Sequence, residues 1–344
     1  MRVCVEMFHQ YTHANDISLI PDAQHPQITG RSYRDHLQAL KPDPAMSSVT
    51  AFGNNGVLKP LDRSKKTAIM SILNVTPDSF SDGGLHQDPD LTIPIAQDHI
   101  KNGAFIIDIG GYSTRPGAAE VSVEEELSRV IPMIQAITRL RHSNSHLKIS
   151  IDTFRHEVAE EAIKNGAEIV NDVSAGLGDP KMLSTLARLG CTYIAMHMRG
   201  NPQTMTKLNK YQHGIIPGVA TELLTRVQAA EAAGIRKWRM VLDPGIGFAK
   251  NQSQNLELLR DFDKLRRWPG LEGFAWLIGA SRKKFIGNIT GVAAAKDRIW
   301  GTAAAVAASV QVGADIVRVH DVKQMSQVVR FADALWRNRS DEPG

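Results

Sequence analysis

Ser71-Ile-Leu-Asn-Val-Thr-Pro-Asp-Ser-Phe-Ser-Asp-Gly-Gly84 changes character partway along. The apolar run Ile69 to Leu73 reads as a buried strand, which Asn74, Pro77, Asp78 and Gly83-Gly84 break into a long polar loop. That loop is crowded with hard oxygens. Asn74 offers an amide carbonyl to a divalent cation, and Thr76, Asp78, Ser79, Ser81 and Asp82 stand behind it. A solvated surface loop is the plain alternative for this stretch taken alone.

The rest of the chain repeats the pattern. Strand-like runs fall at Ala68–Val75, Phe105–Gly110, Lys148–Asp152, Ile169–Val173, Thr192–Met198, Met240–Asp243, Trp276–Gly279 and Ile316–Val319. Helical patterns alternate with them at Leu91–Asn102, Val123–Leu140, His156–Asn165, Lys181–Arg188, Ile216–Ala233, Asn255–Trp268, Arg298–Val312 and Gln324–Asn338. Gly103, Gly166 and Gly313 sit where helix stops are needed. Eight strand-then-helix units in roughly 275 residues predict a (β/α)8 TIM barrel, with a doubly wound open sheet as the structural competitor.

In a barrel of this kind, function gathers where the strands end. The strands here end in Asn74; Asp108; Asp152; Asn171 and Asp172; His197; Asp243; Ser281 to Lys283; and Arg318, His320 and Asp321. An unpaired buried polar group costs roughly 1–3 kcal/mol, so repeated polar endings are not expected of a merely packed core. Asp152, Asn171 and Asp243 offer acceptors and an amide donor to a flat nitrogen heterocycle, and Phe248 is placed to close over a ring face. Arg318 and His320 point the same way by the two-residue period of a strand. With Arg115, Asn74 and a divalent ion they make a diphosphate pocket, the plain alternative for Arg318 being a salt bridge within the barrel. Lys283 reaches both halves. Such a mouth suits a substitution in which a carbon beside the ring loses diphosphate, which requires charge stabilisation and no protein nucleophile.

Composition narrows the class. The 344 residues are 42% hydrophobic and 22% charged, without an apolar run of membrane-spanning length. The net charge of +4 is spread along the chain, so no nucleic-acid partner and no membrane are expected. Cys4 and Cys191 match no zinc or redox spacing, which suits a reducing compartment. Met1 to Thr12 lacks the features of a secretory signal, so the cytoplasm is expected, with the mitochondrion as alternative. Residues 1–66 are Pro-punctuated and read as an N-terminal extension or linker, and 67–338 as the barrel domain.

Seven segments, in order, resemble the dihydropteroate synthase family: Ile72 to Gly84, Asp108-Ile-Gly-Gly-Tyr-Ser-Thr-Arg-Pro-Gly117, Ser150-Ile-Asp-Thr153, Asn171-Asp-Val173, Asp243-Pro-Gly-Ile-Gly-Phe248, Ser281-Arg-Lys283 and Arg318-Val-His-Asp-Val322. The resemblance implies condensation of 6-hydroxymethyl-7,8-dihydropterin diphosphate with 4-aminobenzoate, assisted by Mg2+. It assigns metal binding to Asn74, pterin binding to Asp152, Asn171, Asp243 and Lys283, and diphosphate contact to Arg318 and His320. An aminobenzoate pocket built from Thr114, Pro116, Phe248 and Ser281 is implied, with the loops around Pro77 and Arg115 closing late and Asp108 in support. Sulfonamides are then expected to compete with aminobenzoate.

Tyr112 departs from the pattern, since many members carry an acidic residue there. The family also implies a homodimer through helices far from the mouth, Arg298–Val312 and Gln324–Trp336 being candidates. Leu19 to Asp22, His25-Pro26 and Gly30 to Leu40 resemble the tail of the hydroxymethyldihydropterin pyrophosphokinase that precedes the synthase in fused eukaryotic, especially fungal, enzymes. Two other readings stay open: a corrinoid-linked methyltransferase, which shares the Asp, Asn and Asp edge but needs no diphosphate pocket, and a barrel kept only for binding.

Overall fold

Alternating apolar strands and amphipathic helices leave each strand with one face toward its neighbours' side chains and one toward a helix, and closing the sheet buries both. In the computed structural model the described residues are 50–52, 56–58, 66–76, 89–112, 120–141, 144, 146–201 and 203–337. All belong to the unit Asp43–Gly344, which clusters separately from Met1–Pro42. A short antiparallel hairpin of β1 (Thr50–Phe52) and β2 (Gly56–Leu58) comes first. The pyrophosphokinase-like segment lies outside the described residues.

The strands β3 (Ala68–Asn74), β4 (Ile106–Gly110), β5 (Lys148–Asp152), β6 (Ile169–Asp172), β7 (Thr192–Met196), β8 (Met240–Asp243), β9 (Ala275–Ile278) and β10 (Ile316–Val319) close into a barrel, β10 pairing back onto β3. Every pairing in it is parallel. Outside run α1 (Pro89–Lys101), α2 (Val123–Arg141), α3 (His156–Lys164), α4 (Met182–Leu189), α5 (Ile215–Ala232), α6 (Gln252–Arg260), α7 (Phe262–Arg266), α8 (Lys284–Thr290), α9 (Ile299–Gln311) and α10 (Val322–Trp336). The TIM-barrel expectation is met, and Gly103, Gly166 and Gly313 take positive φ at the helix stops where they were expected.

Two details differ from the pattern read in the sequence. The helix expected over Asn255–Trp268 splits at Asp261, whose φ of −104° and ψ of 20° leave the helix. The break turns Phe262 inward, edge-on to Trp276 of β9 at 5.2 Å. The short α8 was not expected, because its seven residues are too few for periodicity to register.

Polarity divides along the barrel axis. Ala68, Met70, Ile106, Ile169, Ile194, Val241, Ala275, Leu277 and Ile316 fill its interior, and a much larger apolar shell packs the outer strand faces against the helices. At the base, Asp333 of α10 accepts from the backbone N–H of Thr67 at 2.8 Å and from its hydroxyl at 2.6 Å. That pair ties the last helix to the start of the first barrel strand.

Candidate active site

Side chains two residues apart on a strand share a face, so the apolar interior predicts which residues line the mouth above it. Above Ile106 comes Asp108; above Ile169, Asn171; above Val241, Asp243; above Ile316, Arg318. Register adds Asn74, level with Gly110, Asp152 and Asn171 around the barrel wall. The sequence-predicted residues Asn74, Asp108, Asp152, Asn171, Asp243 and Arg318 therefore meet at one end.

Arg318 organises this ring. Its Nε donates to Asp108 Oδ2 at 2.7 Å and its Nη2 to Asp152 Oδ2 at 2.6 Å. The Asn171 amide also donates to Asp108 Oδ2, at 3.0 Å. The salt bridge within the barrel that was the plain alternative for Arg318 is what the structure shows, and it sets the cation beside the ring-binding carboxylates: the arginine sits between Asp108 and Asp152, where each supplies the counter-charge that burial demands. A guanidinium has five N–H donors, so two bonds to carboxylates do not exhaust it. Asp108 Oδ1 and the hydroxyl of neighbouring Ser150 are buried without a partner among the described residues.

The second half is built on the loops after β8 and β9. Asp243 Oδ1 accepts from the Gly245 N–H at 2.7 Å. Gly247 has φ of +83°, a backbone that favours glycine, and a Cβ there would sit 2.8 Å from Lys283 Cδ and push the lysine aside. Lys283 donates to the Ile246 carbonyl, and its Nζ lies 4.5 Å from the centre of the Phe248 ring. Arg282 adopts φ of +59°, a costly backbone for a side chain of that size. Its N–H bonds to Thr302 Oγ1, its carbonyl accepts from Arg298, and its guanidinium pairs with Asp321. The arrangement holds Ser281 and Lys283 on either side of the turn. Ser281 Oγ lies 3.0 Å from His320 Nδ1 and accepts from the His320 N–H, which orients the ring.

Burial tunes these groups. It pushes the Asp152 carboxyl up to about 7, with Arg318 pulling it down and Asp108 adding to the rise. Burial also raises Asp243, against the pull of Lys283. It lowers the Lys283 ammonium to about 8, Asp243 opposing and Arg318 reinforcing. Cys191 is buried, and its thiol is pushed up to about 11, which makes it a poor nucleophile.

The donor set suits a hard cation. Asn74 Oδ1 lies 3.3 Å from where a Cβ on Gly110 would be, so the absence of that side chain keeps the oxygen open toward the mouth. Mg2+ commonly takes only one or two protein oxygens and completes its shell with phosphate and water, so one amide oxygen here is consistent with it. Among the described residues, the group His156, Glu157 and Asp179 is also close enough to share an ion, but it lies at the start of α3 and shares no residue with this constellation. Thr114, Arg115, Pro116 and Pro77 fall outside the described residues.

Sequence reasoning assigned no face to two of the polar strand ends it named, and neither joins the mouth. Asp172 turns outward, one residue beyond inward Asn171, and His197 does the same after Met196. It also missed Lys250, whose Nζ lies 2.9 Å from His197 Nδ1 and gives no strand-end signal. Tyr112 stacks edge-on to Phe154 at 5.4 Å, with the Arg155 guanidinium 5.2 Å from its ring. An aromatic face thus meets the cation at that loop stem.

Comparison with known proteins agrees with this geometry. The pattern of the pterin binding enzyme family matches residues 70–320. The folic acid synthesis protein fol1 of Pneumocystis carinii is 46% identical over 318 residues, covering 92% of this chain and 42% of that protein. The dihydropteroate synthase of Synechocystis sp. is 47% identical over 277 residues, covering 80% of this chain and 92% of that one. The structure of Yersinia pestis dihydropteroate synthase with a sulfonamide drug superposes with a TM-score of 0.75 at 36% identity, covering 83% of this chain and 98% of the other. The chain spans about half the length of several curated relatives, among them the Arabidopsis thaliana folate synthesis bifunctional protein, mitochondrial, of which it covers 54%.

Proposed function

The chain belongs to the dihydropteroate synthase family of pterin-binding enzymes, and from that membership we propose that it joins 6-hydroxymethyl-7,8-dihydropterin diphosphate to 4-aminobenzoate, giving 7,8-dihydropteroate and diphosphate. The observation that carries the proposal is the inward ring of Asp108, Asp152, Asn171, Asp243 and Arg318 above an apolar barrel interior.

Asp152, Asn171 and Asp243 hold the nitrogen-rich edge of the pterin, and Lys283 donates to a ring carbonyl or nitrogen. Asp108 keeps Arg318 and Asn171 in place. The remaining N–H groups of Arg318, with His320, receive the diphosphate as it departs. When bound, Mg2+ at Asn74 supplies further neutralisation of that charge. The step is dissociative: the bond to diphosphate breaks with its electron pair going to the diphosphate oxygen, and the aminobenzoate amine then attacks the exposed carbon and releases its proton to water. Phe248 and Ser281 wall the aminobenzoate side; the parts that the family resemblance implies for Thr114, Arg115 and Pro116 fall on residues outside those described. Sulfonamides, one of which is bound in the Yersinia pestis structure, would compete there.

Purified chain given dihydropterin diphosphate, 4-aminobenzoate and Mg2+ is expected to release diphosphate only when all three are present. Lys283→Ala is expected to lower the rate at least about a hundredfold. Pterin binding without turnover would overturn the reading.

The wider context belongs to the same proposal. Trp300, Phe331 and Leu335 are exposed large apolar residues on α9 and α10. Beside them, residues of α6 to α10 line a groove of ≈ 880 Å³ on the helical shell, distinct from the mouth. A homodimer through this face would cover them; Phe331→Asp would halve the mass seen by light scattering, and an unchanged mass would count against it. A pyrophosphokinase, fused or separate, would supply the diphosphate ester. We place the chain in the cytoplasm, with the mitochondrion as alternative because a plant relative is so named. Among the described residues, no helix is long and apolar enough to cross a membrane.

A further inference from the structure

Behind the mouth, on the outer face of β7 and β8, lies a polar cluster with no part in the chemistry described above. Buried His197 lies between two titratable partners: its Nδ1 is 2.9 Å from Lys250 Nζ and its Nε2 is 3.0 Å from Glu222 Oε2 on α5. Lys250 also donates to the Phe248 carbonyl at 2.9 Å. Glu222 pairs with Arg199, whose guanidinium lies 3.8 Å from the Tyr211 ring centre, and Tyr211 donates to the Ala249 carbonyl at 3.1 Å.

These contacts converge on one strained segment. Gly245, Gly247 and Ala249 take φ of +67°, +83° and +49°. Left-handed backbone at a residue with a side chain, such as Ala249, persists only when its surroundings over-determine it. Three successive fasteners do so: Lys283 on the Ile246 carbonyl, Lys250 on the Phe248 carbonyl and Tyr211 on the Ala249 carbonyl. Only the first belongs to the mouth.

We propose that Lys250, His197 and Glu222 form a positioning relay that sets the pose of the segment between Asp243 and Lys250, and with it the Phe248 ring that faces the second substrate. Glu222, held ionised against burial by His197 and Arg199, can only accept, so the single proton of the neutral imidazole must sit on Nε2, and His197 Nδ1 accepts from Lys250, whose own proton affinity burial lowers well below the ordinary lysine value. Burial agrees, since it lowers His197 to about 4 and keeps the ring neutral. The relay therefore has one proton arrangement, and the lysine end of it grips the carbonyl of the aromatic residue itself. Glu222 is held in turn by Arg199, which couples the segment after β7 to the one after β8.

The role in turnover rests on the synthase reading, but the proton arrangement does not. Long-range 1H–15N spectra of 15N-histidine-labelled protein between pH 6 and 8 are expected to show His197 as the neutral Nε2–H tautomer, with the Nδ1 signal moving in Lys250→Met. An Nδ1–H tautomer or an imidazolium would overturn the relay whatever reaction the chain performs. In steady-state assays Lys250→Met is expected to raise KM for 4-aminobenzoate about tenfold, with kcat and the pterin KM within about threefold, and Lys250→Arg to recover most of the loss. Equal losses for both substrates, or a lower melting temperature with both KM values unchanged, would overturn the positioning role. Should Lys250→Met not fold, Glu222→Gln provides the same two readouts, with a rise of about threefold in the aminobenzoate KM expected and no change in it overturning the proposal.

Discussion

Asp108 and Asp172 are both fully buried at the ends of barrel strands, and they differ in how their oxygens are occupied. Asp172 faces the helices. Its Oδ1 accepts from the Ser174 N–H and hydroxyl, and its Oδ2 from the Gly176 N–H and the Tyr193 hydroxyl. Asp108 faces the barrel mouth, where one oxygen takes both Arg318 and Asn171 and the other takes no partner among the described residues. A carboxylate saturated by its own neighbourhood shapes a loop, whereas one left with an unpaired buried oxygen has bonding capacity in reserve for a ligand. The comparison separates structural from functional acids at equal burial.

The most severe challenge to it is Arg318→Met. Removing the cation that both Asp108 and Asp152 face is expected to cut diphosphate release about a thousandfold, and leaving those carboxylates without their cation is expected to cost about 3–5 kcal/mol of stability. Single-turnover rates beside chemical denaturation would measure the two; a rate within tenfold of the parent would put the mouth in the same class as Asp172.

A smaller effect sharpens the electrostatics of the mouth. Asp152 must be ionised to accept, so kcat/KM for the pterin is expected to fall as pH drops through about 7. Lys283 must be protonated to donate, so it is expected to fall again as pH rises through about 8, well below the ordinary lysine value of 10.5. A narrow bell results. Lys283→Arg, which stays charged, is expected to abolish the basic limb, and a limb that stays in place would assign it to another group.

Asp172→Asn tests the other side of the comparison. It is expected to lower unfolding free energy by about 2 kcal/mol, because the amide cannot accept all of the donors around it, while kcat/KM of the folded fraction changes by less than about threefold. The smallest effect is expected at the base. Asp333→Asn weakens the tie to Thr67 and costs about 1 kcal/mol in denaturant titration, with turnover unaltered. A large kinetic effect from either substitution would show that saturation does not mark a structural acid.

Much of this was legible beforehand. The alternation of strands and helices, the glycine stops and the polar strand ends depend on local periodicity, so the barrel and the residues Asn74, Asp152, Asn171, Asp243, Lys283 and Arg318 could be named from order alone. The face each strand-end residue takes follows from the two-residue period, and counting from Met196 would have turned His197 outward. Lys250 had no such signal, since the imidazole it meets belongs to His197, 53 residues earlier in chain order.

By itself the amino-acid sequence determined the fold class, the family and the membership of the mouth, because apolar periodicity and motif order are properties of neighbouring residues. Tertiary structure alone decided which charge answers which. Arg318 lies 210 residues from Asp108 and 166 from Asp152, and only barrel closure brings them within 2.7 Å. Exclusion of water then makes that meeting consequential: at the buried mouth the same groups shift their proton affinities and leave Asp108 Oδ1 unpaired among the described residues, which no linear order of residues specifies.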